Sequence, residues 1–193
     1  MDGTNRILTR WLAKTWKGKP ENGHFVQFYD EDAKLVESVS AFLAGGLVQG
    51  AACIVIATHD HRVHLSARLR AHGFDMDRAV AAGRYVGLDA ETVLRRLIVN
   101  GKPDPERFAE ILEPVVAAAE LRYPRVMAFG EMVALLAQDG EHRAALELEK
   151  LWNQLAIRHN FSLCCAYPRS AFSPHDRAVF EDVCAQHSAV VAA

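Results

Sequence analysis

The sequence predicts a three-layer α/β fold, with a mainly parallel central sheet of at least five strands flanked by helices. Two observations carry this expectation. From His24 onward, short β-rich runs alternate with longer amphipathic stretches, the order that successive βα units produce. The run ACIVIAT, 52–58, is almost continuously apolar, as in a strand covered by helices on both faces, where no alternate position meets water.

The elements follow in order. HFVQFY, 24–29, is the first strand, and Asp30 offers a cap to a helix whose Leu35, Val36, Val39, Phe42, Leu43 and Leu47 recur at helical spacing. Gly45, Gly46 and Gly50 end that pattern, and ACIVIAT follows as a strand near the sheet centre. His61 to His72 reads as a helix stopped by Gly73, and RYVGL, 84–88, as a third strand that delivers Asp89 to the next helix as its cap. ETVLRRLIV forms that helix, closed by Gly101. Asp104 and Pro105 make a capped start for a helix running to Tyr123, with Pro114 inside it as a kink. Val126 to Phe129 is the fourth strand. A helical segment bearing Met132, Leu135 and Leu136 and the long helix of ALELEKLWNQLA come next, separated by Gly140. FSLCCAYP, 161–168, is the fifth strand, and Ser173 with Pro174 starts a last helix bearing Val179, Phe180, Val183 and Cys184. The tail after His187 is short and free to fray.

Half of the 193 residues are hydrophobic (50%), enough for one sizeable core and too few for two comfortable domains. The expected organisation is a basic leader over 1–20 and one domain over 21–190. The leader sets Arg6, Arg10, Lys14, Lys17 and Lys19 against one acid, Asp2, with Leu8, Trp11, Leu12 and Trp16 at roughly helical spacing. It reads as a self-packed or frayed leader helix, the alternative being a docking helix for a partner or an anionic surface. A formal net charge of -2 gives no electrostatic case for direct binding of nucleic acid. No run reaches the ~18 apolar residues of a membrane span, and the N-terminus lacks the apolar core of a signal peptide. With four cysteines and no CxxC spacing, a reducing cytoplasm is the expected location. Cys164 and Cys165 face opposite sides of a strand and read as buried thiols, not as a disulfide or a redox pair.

The runs HFVQFYDED, FLAGGLVQG, GLDAETVL, FGEMVALLAQDG, LEKLWNQLA and FSLCCAYP, in this order and spacing, resemble the MEDS family, a sensory domain named from methanogens, methylotrophs and a dichloromethane-responsive repressor. The resemblance covers residues 24 to about 187. FGEMV and the LWNQLA and FSLCCAYP pair are its specific part. It implies a domain related to RecA-like ATPases of the circadian-clock type, found beside histidine kinase, PAS or DNA-binding modules and sensing small molecules. No output module is attached to this chain, so the expectation is a stand-alone sensor acting in trans on a histidine kinase or a transcription regulator, with a homodimer left open.

A working phosphate loop needs G-x-x-x-x-G-K-[ST], because glycines let backbone N–H groups surround the phosphates while the lysine and the hydroxyl serve the γ-phosphate and magnesium. Nothing in the chain fits. After the first strand stand Asp30, Glu31 and Asp32, three carboxylates that would repel a triphosphate. Glu131 follows the fourth strand, close to where RecA-like ATPases place an acid that supports magnesium or polarises water. Without the lysine and hydroxyl it reads as the best candidate for holding a network at the strand ends, where open α/β sheets bind ligands. Tyr29, Asp30, Asp32, Thr58, His59, Asp89, Glu131 and Tyr167 are the candidate ligand-binding residues on this rule.

The bland alternatives are helix capping for Asp30, Asp32 and Asp89, and rim packing for Tyr29 and Tyr167. His59, His61 and His64 lack an HExxH-type base or a distant cysteine pair and read as surface histidines, and His24 reads as a satisfied edge residue. No cofactor fingerprint, nucleophile elbow or metal set emerges. The expected function is thus non-catalytic sensing of a small molecule or a regulatory protein. The alternative is a residual nucleotide-binding protein or hydrolase that uses Glu131.

Overall fold

The computed structural model describes residues 22–191. Six strands form one sheet: β1 (His24–Tyr29), β2 (Ala52–Ala57), β3 (Tyr85–Asp89), β6 (Val126–Gly130), β7 (Phe161–Pro168) and β8 (Ala189–Val191). Their order is β3-β2-β6-β7-β1-β8, and every pairing is parallel. The helices are α1 (Asp32–Val48), α2 (His59–Ala71), α3 (Met76–Ala81), α4 (Ala90–Leu97), α5 (Pro105–Arg122), α6 (Met132–Gln138), α7 (His142–Arg158) and α8 (Arg177–Ala185).

The sheet separates two hydrophobic cores, which is why its central strands have no solvent-facing positions: β1, β2 and β7 are buried at every residue. On one face Phe42 and Leu43 of α1, Leu65 and Leu69 of α2 and Met76 of α3 pack on Cys53, Val55 and Phe129. On the other, Val93, Phe108, Leu112, Met132, Leu148 and Trp152 from α4 to α7 pack on Ile54, Ile56, Ala128 and Leu163. Cys164 belongs to the first core and Cys165 to the second, as alternation along a strand requires. Every described cysteine is free, and burial pushes the Cys53 thiol up to about 12.

Local chemistry explains most boundaries and several departures. Asp104 accepts the Arg107 N–H at 2.9 Å to start α5, and Asp89 accepts that of Thr92 at 2.9 Å to start α4. Asp30, expected to cap α1, does not. Glu31 holds the cap position, and Asp32 enters the first turn at the positive end of the helix dipole. Gly45 and Gly46 lie inside α1 and do not end it; a Cβ on Gly46 would collide with Met127, so that glycine lets the helix sit close on β6. ETVLRRLIV is not one helix. It stops at Leu97, and a two-stranded hairpin follows, β4 (Ile98–Val99) with β5 (Lys102–Pro103), turned by Asn100 and Gly101 at φ 51° and 77°. The capping box of Ser173 and Asp176 starts a single 3₁₀ turn before α8, and the tail after His187 adds β8 to the sheet edge. The basic leader, 1–20, lies outside the described residues.

Candidate functional site

Because all strands of the sheet are parallel, their carboxyl ends share one edge, and the first turns of α1 and α2 start there side by side. Glu131, the residue after β6, is anchored at this edge by its own N–H, which donates to the Ile56 carbonyl at 2.9 Å. Glu131 is 2% exposed and both of its side-chain oxygens are engaged. Oε2 accepts the Thr58 N–H at 2.8 Å, and Oε1 is held by Nδ1 of His61 in a short contact. Nε2 of the same imidazole lies 3.7 Å from Asp32 Oδ1, so His61 links a buried carboxylate to an exposed one across α1 and α2.

The hydrogen bond from His61 to Glu131 raises the imidazole pKa; desolvation opposes it, and the charges of Glu131, Asp32 and Asp60 add to the rise. His61 therefore holds its proton more tightly folded than unfolded, where the ordinary value is 6.5. Its contribution to stability is complete below that value and is lost as pH rises through the folded one. Urea unfolding over a pH series should show His61→Gln with a flatter profile than wild type through and above neutral pH; parallel profiles would refute the pairing. Tyr29, at the end of β1, is buried among the same groups. Burial, then the Glu131 and Asp32 charges, pushes its phenol up and keeps it a donor.

The other expected site residues distribute as follows. Asp89 lies at the end of β3 beside Arg62, 2.9 Å away, and Arg62 Nε also donates to the Ala57 carbonyl at 3.2 Å. That guanidinium extends the line of charge from Glu131 and Thr58 to Asp89. Asp30 is exposed and pairs with Arg169 at 3.4 Å. His59 is exposed on the first turn of α2. Tyr167 is not at this rim: it is buried on the opposite core, and its hydroxyl donates to Glu149 Oε1 at 2.8 Å. His61, expected at the surface, is buried and central to the site.

A second polar cluster lies where Tyr167 points. His24 of β1, Glu149 of α7, Cys165 of β7 and His187 after α8 bring one ligand atom each to within 4.8 Å of one another. Glu149 is fully buried on the apolar stripe of α7, beside Ala145, Leu148 and Trp152. Burial alone would raise its carboxyl, yet His187 and then His24 outweigh it and hold the group well below the usual carboxylate range. Sequence reading missed this cluster, although a glutamate in register with Ala145, Leu148, Trp152 and Leu155 was a signal that something polar is buried there.

Among solved structures, the flagellar accessory protein FlaH from Methanocaldococcus jannaschii is similar at 10% identity and TM-score 0.58, over 94% of this chain and 75% of that one. The Project ID PH0250 protein of Pyrococcus horikoshii OT3 is similar at 10% identity and TM-score 0.54, over 99% of this chain and 87% of that one. Both likenesses are of fold alone, and they identify the three-layer arrangement as RecA-like. No curated protein matches. The family model for MEDS, the MEthanogen/methylotroph, DcmR Sensory domain, matches residues 23–188, and the chain belongs to that sensory family.

Proposed function

We propose that residues 21–190 form one non-catalytic sensory unit that takes a small molecule at the carboxyl edge of the sheet and passes the signal on by contact with another protein. The observation that carries this reading is the Asp32–His61–Glu131 chain of side chains. Both Glu131 oxygens are engaged, one by Thr58 and one by His61, so the carboxylate is already held as a fixed acceptor. The chain also joins the starts of two helices. A ligand that competes for Asp32 or His61 binds the joined and parted arrangements unequally, which is what a signal requires. Family membership supports sensing, and the acidic turn Asp30–Glu31–Asp32 disfavours a triphosphate.

The ligand class that suits this edge is a small cation or hydroxyl compound able to donate to carboxylates. A histidine kinase or a transcription regulator is the proposed partner in trans. Calorimetry of the purified chain against a panel of small amines and alcohols, with ATP–Mg²⁺ alongside, tests the reading. We expect at least one amine or alcohol to bind, Glu131→Gln to weaken it about tenfold or more, roughly 1.4 kcal/mol, and ATP turnover to stay at background. ATP turnover that Glu131→Gln abolishes would establish a hydrolase instead. A panel without a binder would remove the small-molecule reading.

A further inference from the structure

The buried cluster on the opposite core has a donor geometry that hydrogen bonding alone does not account for. The outer nitrogen of each imidazole is engaged by an oxygen: His187 Nδ1 lies 2.6 Å from the Val183 carbonyl, and His24 Nδ1 lies 2.8 Å from Asn153 Oδ1. The Asn153 amide is oriented by its own nitrogen, which donates to the Gln186 carbonyl at 3.0 Å and so turns Oδ1 toward His24. Both rings therefore carry a proton on Nδ1 and present Nε2 to the centre of the cluster. Metal-bound histidines have this arrangement, with the far N–H held by a carbonyl or carboxylate that fixes tautomer and ring orientation.

At the centre these atoms crowd together, and their hydrogen bonding is incomplete. His24 Nε2 is 3.2 Å from Glu149 Oε2, and His187 Nε2 is 3.3 Å from Glu149 Oε1. Yet Glu149 Oε2 and His187 Nε2, both sealed from solvent, make no aligned hydrogen bond. Cys165 Sγ is 3.4 Å from His24 Nε2. A tetrahedral site with metal–nitrogen bonds of about 2.0–2.1 Å and a metal–sulfur bond of about 2.3 Å has ligand–ligand edges of roughly 3.3–3.6 Å; with Glu149 Oε2 as the carboxylate ligand, the His24–Glu149 and His24–Cys165 separations fall on or just below that range, and one ligand atom from each of the four residues lies within 4.8 Å of the others. The four residues are near enough for small side-chain adjustments to bring them round one ion.

We propose that His24, Glu149, Cys165 and His187 bind one divalent transition-metal ion in a closed, four-ligand site. Two imidazoles, a carboxylate and a thiol suit Zn²⁺, and the thiol argues against Mg²⁺ and Ca²⁺. Binding releases the Cys165 proton, and the thiolate and carboxylate together then neutralise the dication, as a site sealed from water requires. The four ligands come from β1, α7, β7 and the turn after α8. Beside that turn Ser188 N–H donates to the His24 carbonyl at 2.7 Å, and His24 N–H donates to Ser188 Oγ at 2.8 Å. Occupancy would therefore fasten α8 and β8 to β1 and β7, away from the small-molecule edge and independently of it.

The test is Co²⁺ titration of the chelator-stripped full chain, followed by absorption spectroscopy and Zn²⁺ competition. One equivalent should give the intense visible bands of tetrahedral Co²⁺ with a near-ultraviolet thiolate-to-metal band, and Zn²⁺ should displace it. Cys165→Ser should remove the thiolate band, and His187→Gln should weaken Co²⁺ at least tenfold, both with far-ultraviolet circular dichroism unchanged. Cys53 and Cys164 face the other core, and a Cys184→Ser chain leaves Cys165 as the one thiol on this side of the sheet, so a thiolate band in that chain points to this cluster even if a ligand variant fails to fold. No stoichiometric tetrahedral spectrum in the wild-type chain, or binding unchanged in both variants, overturns the proposal and leaves an ion-paired His–Glu–His cluster.

Discussion

Replacing Glu149 with alanine in the metal-free chain is expected to destabilise the fold by about 3–5 kcal/mol, the range for removing one partner of a buried charged group. The side chain has no exposed surface, and it accepts the Tyr167 hydroxyl at 2.8 Å while facing two imidazoles. Alanine leaves the buried Tyr167 hydroxyl without its acceptor and the two imidazoles without their counter-charge. For a domain of this size each kcal/mol lowers Tm by about 2–4 °C, so thermal and urea unfolding should both register the loss. A change under about 1 kcal/mol would mean that the cluster rearranges around neutral rings and that its electrostatics are not structural.

Trp152→Ala should cost a similar amount, about 3–5 kcal/mol, for a different reason. Trp152 is among the largest fully buried side chains and joins three elements: its ring meets Phe108 of α5 edge-on at 5.1 Å and Phe161 of β7 at 6.2 Å. Alanine removes those contacts and leaves a cavity that α7 and α5 can close only in part. The indole N–H has no hydrogen-bond partner among the described residues, so little polar stabilisation is lost with it. Trp152→Phe, which keeps an aromatic ring and deletes the idle N–H, should cost clearly less in the same urea titrations. Equal losses in the two variants would show that packing around the ring is not the source.

The sheet was legible because its strands announce themselves. ACIVIAT and FSLCCAYP are too apolar and too short to be anything but doubly covered strands, and Asp89 and Asp104 cap the helices that their spacing implies. The hairpin after Leu97 was hidden because Leu97, Ile98 and Val99 continue the apolar stripe of α4, and only the left-handed Asn100–Gly101 pair breaks it. The six-residue α3 and three-residue β8 are too short to show a period.

At the site, Glu131 could be found because it directly follows a strand, and the position of a residue after a parallel strand fixes its edge. His61 could not, because DHRVHLS has the polarity of a solvated turn and its buried partner, Glu131, lies 70 residues later in the chain. Tyr167 was assigned to the rim from its place near the strand end, but its side chain points into the layer that holds Glu149. The His24–Glu149–Cys165–His187 cluster joins residues up to 163 positions apart, which no local pattern records.

The strand order also governs how this chain emerges from the ribosome. β1 is bordered by β7 and β8, both more than 130 residues downstream, and by no earlier strand. Until nearly all of the chain has been made, Phe25, Val26 and Phe28 have no sheet to join. Such long-range parallel closure is slow and leaves apolar strand exposed during synthesis. A nascent chain arrested before Phe161 should therefore engage a holding chaperone through HFVQFY, and release should come only once β7 is available to pair with it.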